Sequence, residues 1–285
     1  MAAGSGSSGS QEALWNGPAG QAWVDTQAVL DRMFAPLETL LAAQVPAGSA
    51  LQVLDIGCGT GATALAAARR LGAGGGCTGI DISEPMVALA RARAAREGVP
   101  ATFVRADAQG HDFGEASFDL FLSRFGIMFF DDPVRAFANL RRAASVDAAL
   151  YALAWRAPAE NPFMTAAERA AAPLLPALPA RRPGAPGQFA FADPARVRQI
   201  LDAAGWAGIG IEPVDIACTL PEAALTGYLT RLGPVGLALH GADAQTRDRV
   251  VATVRAAFEP FVQGSEVRFT AACWAIAAGA PTRRS

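Results

Sequence analysis

Seven consecutive residues, Asp55-Ile56-Gly57-Cys58-Gly59-Thr60-Gly61, follow the apolar run Leu51-Gln52-Val53-Leu54 and precede a helix-forming stretch over 62–71. An acid therefore closes a strand, and a glycine-rich turn opens a helix. Glycines at 57, 59 and 61 leave no Cβ between the main chain and a ligand, and they permit torsions that other residues resist. The helix start behind them presents unpaired N–H groups and partial positive charge. Such a turn suits a nucleoside-bearing ligand whose polar or cationic tail lies against bare backbone. Gly57-x-Gly59-x-x-Ala62 also satisfies the looser dinucleotide fingerprint. Asp55 argues against that use, because a carboxylate repels a pyrophosphate and attracts an ammonium or a sulfonium.

Two further strand ends carry acids. In Gly79-Ile80-Asp81-Ile82-Ser83, Asp81 is placed to accept from both ribose hydroxyls of an adenosine. Its other use would be as a helix N-cap, a task for which Ser83 is better placed. Met86 can rest its thioether on a purine face or fill core space. In Phe103-Val104-Arg105-Ala106-Asp107-Ala108, Asp107 can accept from an adenine exocyclic amine, and Ala108 leaves room for the ring. Acids at 55, 81 and 107 on one sheet edge are hard to obtain from packing alone, since buried acids cost free energy unless paired. Together they favour S-adenosylmethionine over a dinucleotide.

The elements that position these residues alternate along the chain. Apolar runs at 51–56, 77–82, 101–104, 118–123 and 148–155 predict strands, and 62–71, 85–97 and 133–143 predict helices, with Pro85 and Pro133 at tolerated first-turn positions. Repeated strand–helix units imply a parallel sheet covered on both faces. Residues 21–43 predict a helix kinked or divided at Pro36. The glycine- and serine-rich start resembles a flexible tail or linker rather than a signal peptide. Residues 156–192, rich in proline and alanine, interrupt the rhythm as a surface excursion or substrate-covering insertion. A helix at 194–204, a strand at 209–217, helices at 222–239 and 244–261 and a last strand at 267–277 complete the pattern. The expected division is a tail (1–20) and a single domain (21–285), made of a helical cap (21–48), a cofactor core (49–155), an insertion or lid (156–192) and a C-terminal part (193–285).

The segments Val53 to Gly61, Gly79 to Ser83, Arg105 to Ala108 and Phe118 to Phe125 resemble those of class I S-adenosylmethionine-dependent methyltransferases. Ser123-Arg124-Phe125-Gly126-Ile127-Met128-Phe129-Phe130 followed by Asp131-Asp132-Pro133 resembles the ubiquinone- and menaquinone-methylating type and its small-molecule relatives. The resemblance implies an α/β, Rossmann-like fold: a seven-stranded, mostly parallel sheet with an antiparallel last strand and helices on both faces. One departure stands out: the turn before the fifth strand, usually proline-glycine-glycine, reads Ala144-Ser145-Val146-Asp147-Ala148, which puts its geometry in doubt. By resemblance, Asp55, Gly57 and Gly59, with Cys58 and Gly61 of the same turn, would hold the methionine part of the cofactor. Asp81 and Ile82 would hold the ribose, Asp107 and Ala108 with Met86 the adenine, and Ser123 and Arg124 would sit beside the sulfonium. The product would be S-adenosylhomocysteine.

Methyl transfer is an in-line displacement, to which a protein contributes mainly alignment and water exclusion. If a general base is needed, histidine is the natural choice, and the chain has two, His111 and His240. His111, in the loop after the third strand, and Arg124 are the catalytic candidates, with a structural or solvated role the alternative for each. Trp15, Trp23, Arg124, Phe129 and Trp155 are the substrate-facing candidates, so the acceptor is expected to be an apolar or aromatic small molecule. No metal cluster is readable. A net charge of −2, with every positive side chain an arginine, gives no basic stripe for nucleic acid. No apolar run reaches the ~18 residues of a membrane span, and the spacings of the four cysteines fit no zinc module, so a cytoplasmic setting is expected. Two other readings remain at this stage: an NAD(P)-binding oxidoreductase, and a non-catalytic S-adenosylmethionine-binding partner protein.

Overall fold

The apolar runs pair into one sheet, with the runs at 53–56 and 120–123 buried on both faces and the run at 101–104, with Thr102 exposed, less covered. In the computed structural model, which describes residues 8–182 and 184–281, the strands are β1 (Gln52–Ile56), β2 (Gly76–Asp81), β3 (Ala101–Arg105), β4 (Phe118–Arg124), β5 (Ala144–Trp155), β6 (Ala207–Pro221), β7 (Val262–Gln263) and β8 (Glu266–Gly279). Their order is β3-β2-β1-β4-β5-β8-β6, with β7 paired to β8 at one end. Strands β1 to β5 pair in parallel, and β8 runs antiparallel to both β5 and β6. This is the expected Rossmann-like sheet with a two-residue hairpin arm added.

Helices α1 (Ser8–Asn16), α2 (Pro18–Asp25) and α3 (Gln27–Ala42) precede the sheet. The crossovers α4 (Ala62–Ala68), α5 (Glu84–Glu97) and α6 (Pro133–Ala143) follow β1, β2 and β4. Right-handed crossovers put α4 and α5 on one face and α6 on the other, because the strand order reverses between β1 and β4. That reversal opens a crevice at the carboxyl ends of β1 and β4. Beyond β5 come α7 (Pro162–Ala171), α8 (Pro194–Ala203), α9 (Leu225–Arg231), α10 (Gly233–Leu239) and α11 (Ala244–Ala257). The core between sheet and helices holds fully buried Met33, Leu37, Leu54, Ile56, Leu65, Phe121 and Phe137.

Several expectations need correction. Residues 8–16 and 18–25 are helical, so the tail expected over 1–20 does not extend over them; residues 1–7 lie outside the described residues. The 21–43 helix divides at Thr26, not Pro36. The Thr26 hydroxyl donates back to the Ala22 carbonyl at 2.6 Å, and Thr26 leaves helical torsions at φ −105°, ψ 10°. Pro36 sits inside α3 on its exposed side. The stretch 222–239 splits at Leu232, because Gly233-Pro234 starts a new helix. The doubtful turn before β5 is a bulge: pairing jumps from Phe118–Ala144 to Leu120–Ala149, with Asp147 at φ 63°. Ser145 Oγ donates to Asp119 Oδ1 at 2.7 Å and ties that bulge to β4.

None of the described residues of 156–192 lines the crevice. Phe163 of α7 stacks on Phe269 of β8 at 3.9 Å and meets Phe258, Phe261 and Tyr228 edge-on or tilted. Asn161 replaces a strand partner where β5 has ended: its Nδ2 donates to the Ala272 carbonyl and its Oδ1 accepts from the Ala272 amide, both at 3.0 Å. A segment rich in proline is thus bound into the hydrophobic core.

Candidate active site

The glycine turn is fixed from below and from the side. The amides of Gly57 and Cys58 both donate to the Ile80 carbonyl, at 2.9 and 3.0 Å, which ties the turn to β2. Gly57 has φ +65°, and a Cβ there would lie 2.5 Å from Gly126 Cα; a Cβ on Gly126 would lie 2.4 Å from the Ile56 carbonyl oxygen. Two main chains therefore touch with no side chain between them, which brings the segment after β4 up against the turn. The Gly59 amide donates to Asp81 Oδ2 at 2.8 Å, and the Ser83 amide to Asp81 Oδ1 at 2.9 Å. Asp81 thus clamps the turn to the start of α5. Burial pushes its carboxyl above the ordinary range, and the backbone amides of Ser83, Gly59 and Ile82 pull the other way.

Above the turn lies a partly open cleft with a cavity volume of about 130 Å³. Its floor is 56–60; Asp81, Ile82 and Met86 form one wall, Ala106 to Gln109 the next, and Arg124 to Gly126 with Phe129 and Phe130 the third. Gln11, Trp15, Trp23, Leu30 and Asp31 of α1, α2 and α3 close the fourth side. That side is therefore formed by the N-terminal helices and not by described residues of 156–192. Ser83 Oγ donates to the Trp15 carbonyl at 2.6 Å. Asn16 Nδ2 donates to the Ile82 carbonyl at 3.0 Å, and its Oδ1 accepts from the Glu84 amide at 2.8 Å. Asn16 thus caps α5 from α1, and Ser83 is not the side-chain cap expected, because its hydroxyl is spent on the strap. Trp15 meets Phe129 at 5.2 Å and Trp23 at 6.1 Å, edge to face. Asp31 pairs with buried Arg93 at 2.6 Å, and Arg93 donates onward to the Thr60 carbonyl at 2.7 Å, locking α3 to the turn.

Of the residues singled out in the sequence, the cleft gathers Gly57, Cys58, Gly59, Asp81, Ile82, Met86, Asp107 and Ala108, together with Trp15, Trp23, Arg124 and Phe129. It leaves out Asp55, Gly61, Ser123, Trp155 and His111. Asp55 is 1% exposed beneath the turn, and neither carboxyl oxygen completes a hydrogen bond. Burial pushes its carboxyl up to about 7; Arg124 and the Ala64 amide oppose this, while Asp81 and Glu38 add to it. Gly61 begins α4 at φ +88° against Phe103. Ser123 is a strut: its Oγ donates to the Ile56 carbonyl at 2.8 Å and accepts from the Ile127 amide at 3.3 Å. Trp155 stacks on Phe125 at 4.4 Å behind the cleft wall. The His111 ring packs on Phe113, so the general base expected there does not face the cleft. His240 holds the Gly236 carbonyl at the end of α10.

Sequence reasoning missed Asp31, Gln109 and Gly126. Gln109 holds both oxygens of Asp107, through its own amide at 2.9 Å and its Nε2 at 3.1 and 3.2 Å. Its signal was the Asp-x-Gln spacing of an Asx turn. Asp31 carried none, since its role depends on Arg93 from another helix. The cleft suits an adenosyl amino acid on its own geometry. Gly59 and Met86 line it side by side, a Cβ on Gly59 lying 3.8 Å from the Met86 sulfur. Two carboxylates, Asp81 and Asp107, stand on adjoining walls. Among the described residues, no group of three or more His, Cys, Asp or Glu side chains is placed to hold a metal ion, and no helix is long and apolar enough to cross a membrane.

Comparison with known proteins agrees with this geometry. Residues 53–146 match the family described as "Methyltransferase domain". The chain is 36% identical over 115 residues to nocamycin O-methyltransferase of Saccharothrix syringae, covering 40% of this chain and 41% of that one. It is 32% identical over 112 residues to a demethylmenaquinone methyltransferase of Thermus thermophilus, covering 39% and 50%. The chain thus spans half or less of the length of these two relatives. The fold is shared with the YcgJ protein of Bacillus subtilis at a TM-score of 0.56 and 18% identity, over 86% of this chain and 97% of that one. Residues 53–146 thus carry a methyltransferase-domain match, and in sequence and fold the chain is similar to class I S-adenosylmethionine-dependent methyltransferases.

Proposed function

We propose that this protein transfers the methyl group of S-adenosylmethionine to an apolar or aromatic small molecule, releasing S-adenosylhomocysteine. The observation that carries the reading is the placement of Asp81: one carboxylate fixes the glycine turn through Gly59 and faces the cleft at the carboxyl end of β2. The turn at 57–59 would hold the amino-acid tail, Asp81 the ribose hydroxyls, and Asp107, held by Gln109, the adenine amine. The bound cofactor supplies a methyl group on a sulfonium, open to in-line attack. The chain's own part is to align and to keep water out, and Trp15, Trp23, Phe129 and Phe130 give the cleft an apolar side fit for both. An oxygen acceptor is supported by the O-methyltransferase among its relatives. Four free, buried cysteines fit a reducing compartment such as the cytoplasm.

Isothermal titration with S-adenosylhomocysteine and with NADH tests the reading. The product should bind and NADH should not, and Asp81→Ala should weaken the product's binding by about 100-fold through loss of charge-assisted hydrogen bonds. NADH binding in its place would favour the oxidoreductase alternative. Product binding without methyl transfer to any of a broad panel of phenols and amines would favour a non-catalytic partner role.

A further inference from the structure

We propose that Arg124 receives the methyl acceptor as an anion, so that the substrates are flat, apolar acids (phenols or enols) that enter the cleft already ionised. The proposal rests on the methyltransferase reading and names the acceptor class for that same site. Strand β4 ends at Arg124, whose side chain lines the cleft. Its Nη1 is buried without a hydrogen-bond partner. The guanidinium lies 5.4 Å from the centroid of the Phe34 ring, which packs on Phe125 and Trp155. A charged donor left unpaired against aromatic rings costs free energy that an incoming anion recovers.

The groups around Arg124 do not neutralise it by contact. Asp31 is committed to Arg93 at 2.6 Å. Glu38 and Asp55 act on Arg124 only through their field, and burial holds both carboxyls above their ordinary range, toward the neutral form. The cleft also lacks an uncommitted base among the described residues. Its carboxylates are Asp31, Asp81 and Asp107; the last two are held by the Gly59 and Ser83 amides and by Gln109, and neither histidine lines it. The acceptor's proton must therefore go to solvent before binding, a loss that Arg124 favours by stabilising the anion. The acceptor oxygen then uses a lone pair to bond the methyl carbon, and the carbon–sulfur pair returns to sulfur, cancelling its charge. A neutral methyl ether results.

The probe pair is 4-hydroxycoumarin, an enol ionised at neutral pH, and its uncharged ether 4-methoxycoumarin. Each is titrated calorimetrically into the protein with and without saturating S-adenosylhomocysteine. The anion should bind at least about tenfold tighter than the ether, the difference expected of one charge-assisted contact. Arg124→Gln should abolish that preference, and Arg124→Lys should retain part of it. An anion that binds no tighter than the ether, or not at all, overturns the proposal, as does a preference that survives in Arg124→Gln. If the glutamine variant does not fold, the wild-type ratio and the lysine variant decide. Absence of S-adenosylhomocysteine binding would sink the methyltransferase reading alone, since the anion preference is still measured in the cofactor-free protein.

Discussion

Replacing Asp55 with asparagine isolates the cost of burying the acid beneath the glycine turn. Asp55 is 1% exposed, its oxygens complete no hydrogen bond, and its carboxyl is pushed from the ordinary 3.8 up to about 7. Because the folded-state value is the higher, the folded protein keeps a proton that the unfolded chain has already released. The stabilising contribution is whole below pH 3.8 and is lost as pH rises through about 7. At about 1.4 kcal/mol per pH unit, that interval corresponds to about 4 kcal/mol at most. Asparagine keeps the shape and cannot ionise. Urea unfolding of both proteins between about pH 4 and about pH 8 gives the test. The stability of Asp55→Asn relative to wild type should climb with pH by up to about 4 kcal/mol and then level off. Curves that stay parallel across the range would show that Asp55 is ionised in the folded state and refute the argument. Glu38 and Asp81, whose carboxyls burial also raises, interact with Asp55, so the difference reports Asp55 together with its coupling to them.

Gly57→Ala would place a methyl group 2.5 Å from Gly126 Cα at φ +65°. A loss of about 2–4 kcal/mol is expected in thermal unfolding, with weaker S-adenosylhomocysteine binding; an unchanged melting temperature would contradict the close approach. Asn16→Ala removes the cap that α1 lends to α5, made through the Glu84 amide at 2.8 Å. It should cost about 1 kcal/mol and speed hydrogen exchange at the Glu84 amide, and unaltered exchange there would show that the strap does not hold.

How much was legible depended on whether a residue's role is local. The glycine turn, Asp81 and Asp107 announced themselves because strand, acid and turn lie within a few residues of one another. Helix 133–143 was placed to the residue, since Asp132 accepts from the Arg135 amide and Pro133 fits the first turn. The insertion was misread because proline and alanine content says little about packing, and Phe163 finds its partners about a hundred residues away in β8. His111 looked available for catalysis because a histidine four residues past Asp107 is near the cleft in sequence. Which way its ring turns is set by Phe113.

The amino-acid order alone determined the alternation of strands and helices, the turn that needs bare backbone, and the acids at successive strand ends, because each is written in neighbouring residues. The tertiary structure alone decided which of those acids faces the cleft. Asp55 is sealed beneath the turn while Asp81 and Asp107 line the cleft, and that difference comes from Gly126 pressing against Gly57 and from helices α1 to α3 folding over the edge. It also decided that Arg124, whose charge any sequence would show, keeps a nitrogen buried without a hydrogen-bond partner. A charge is a property of a residue, but its pairing is a property of everything packed around it.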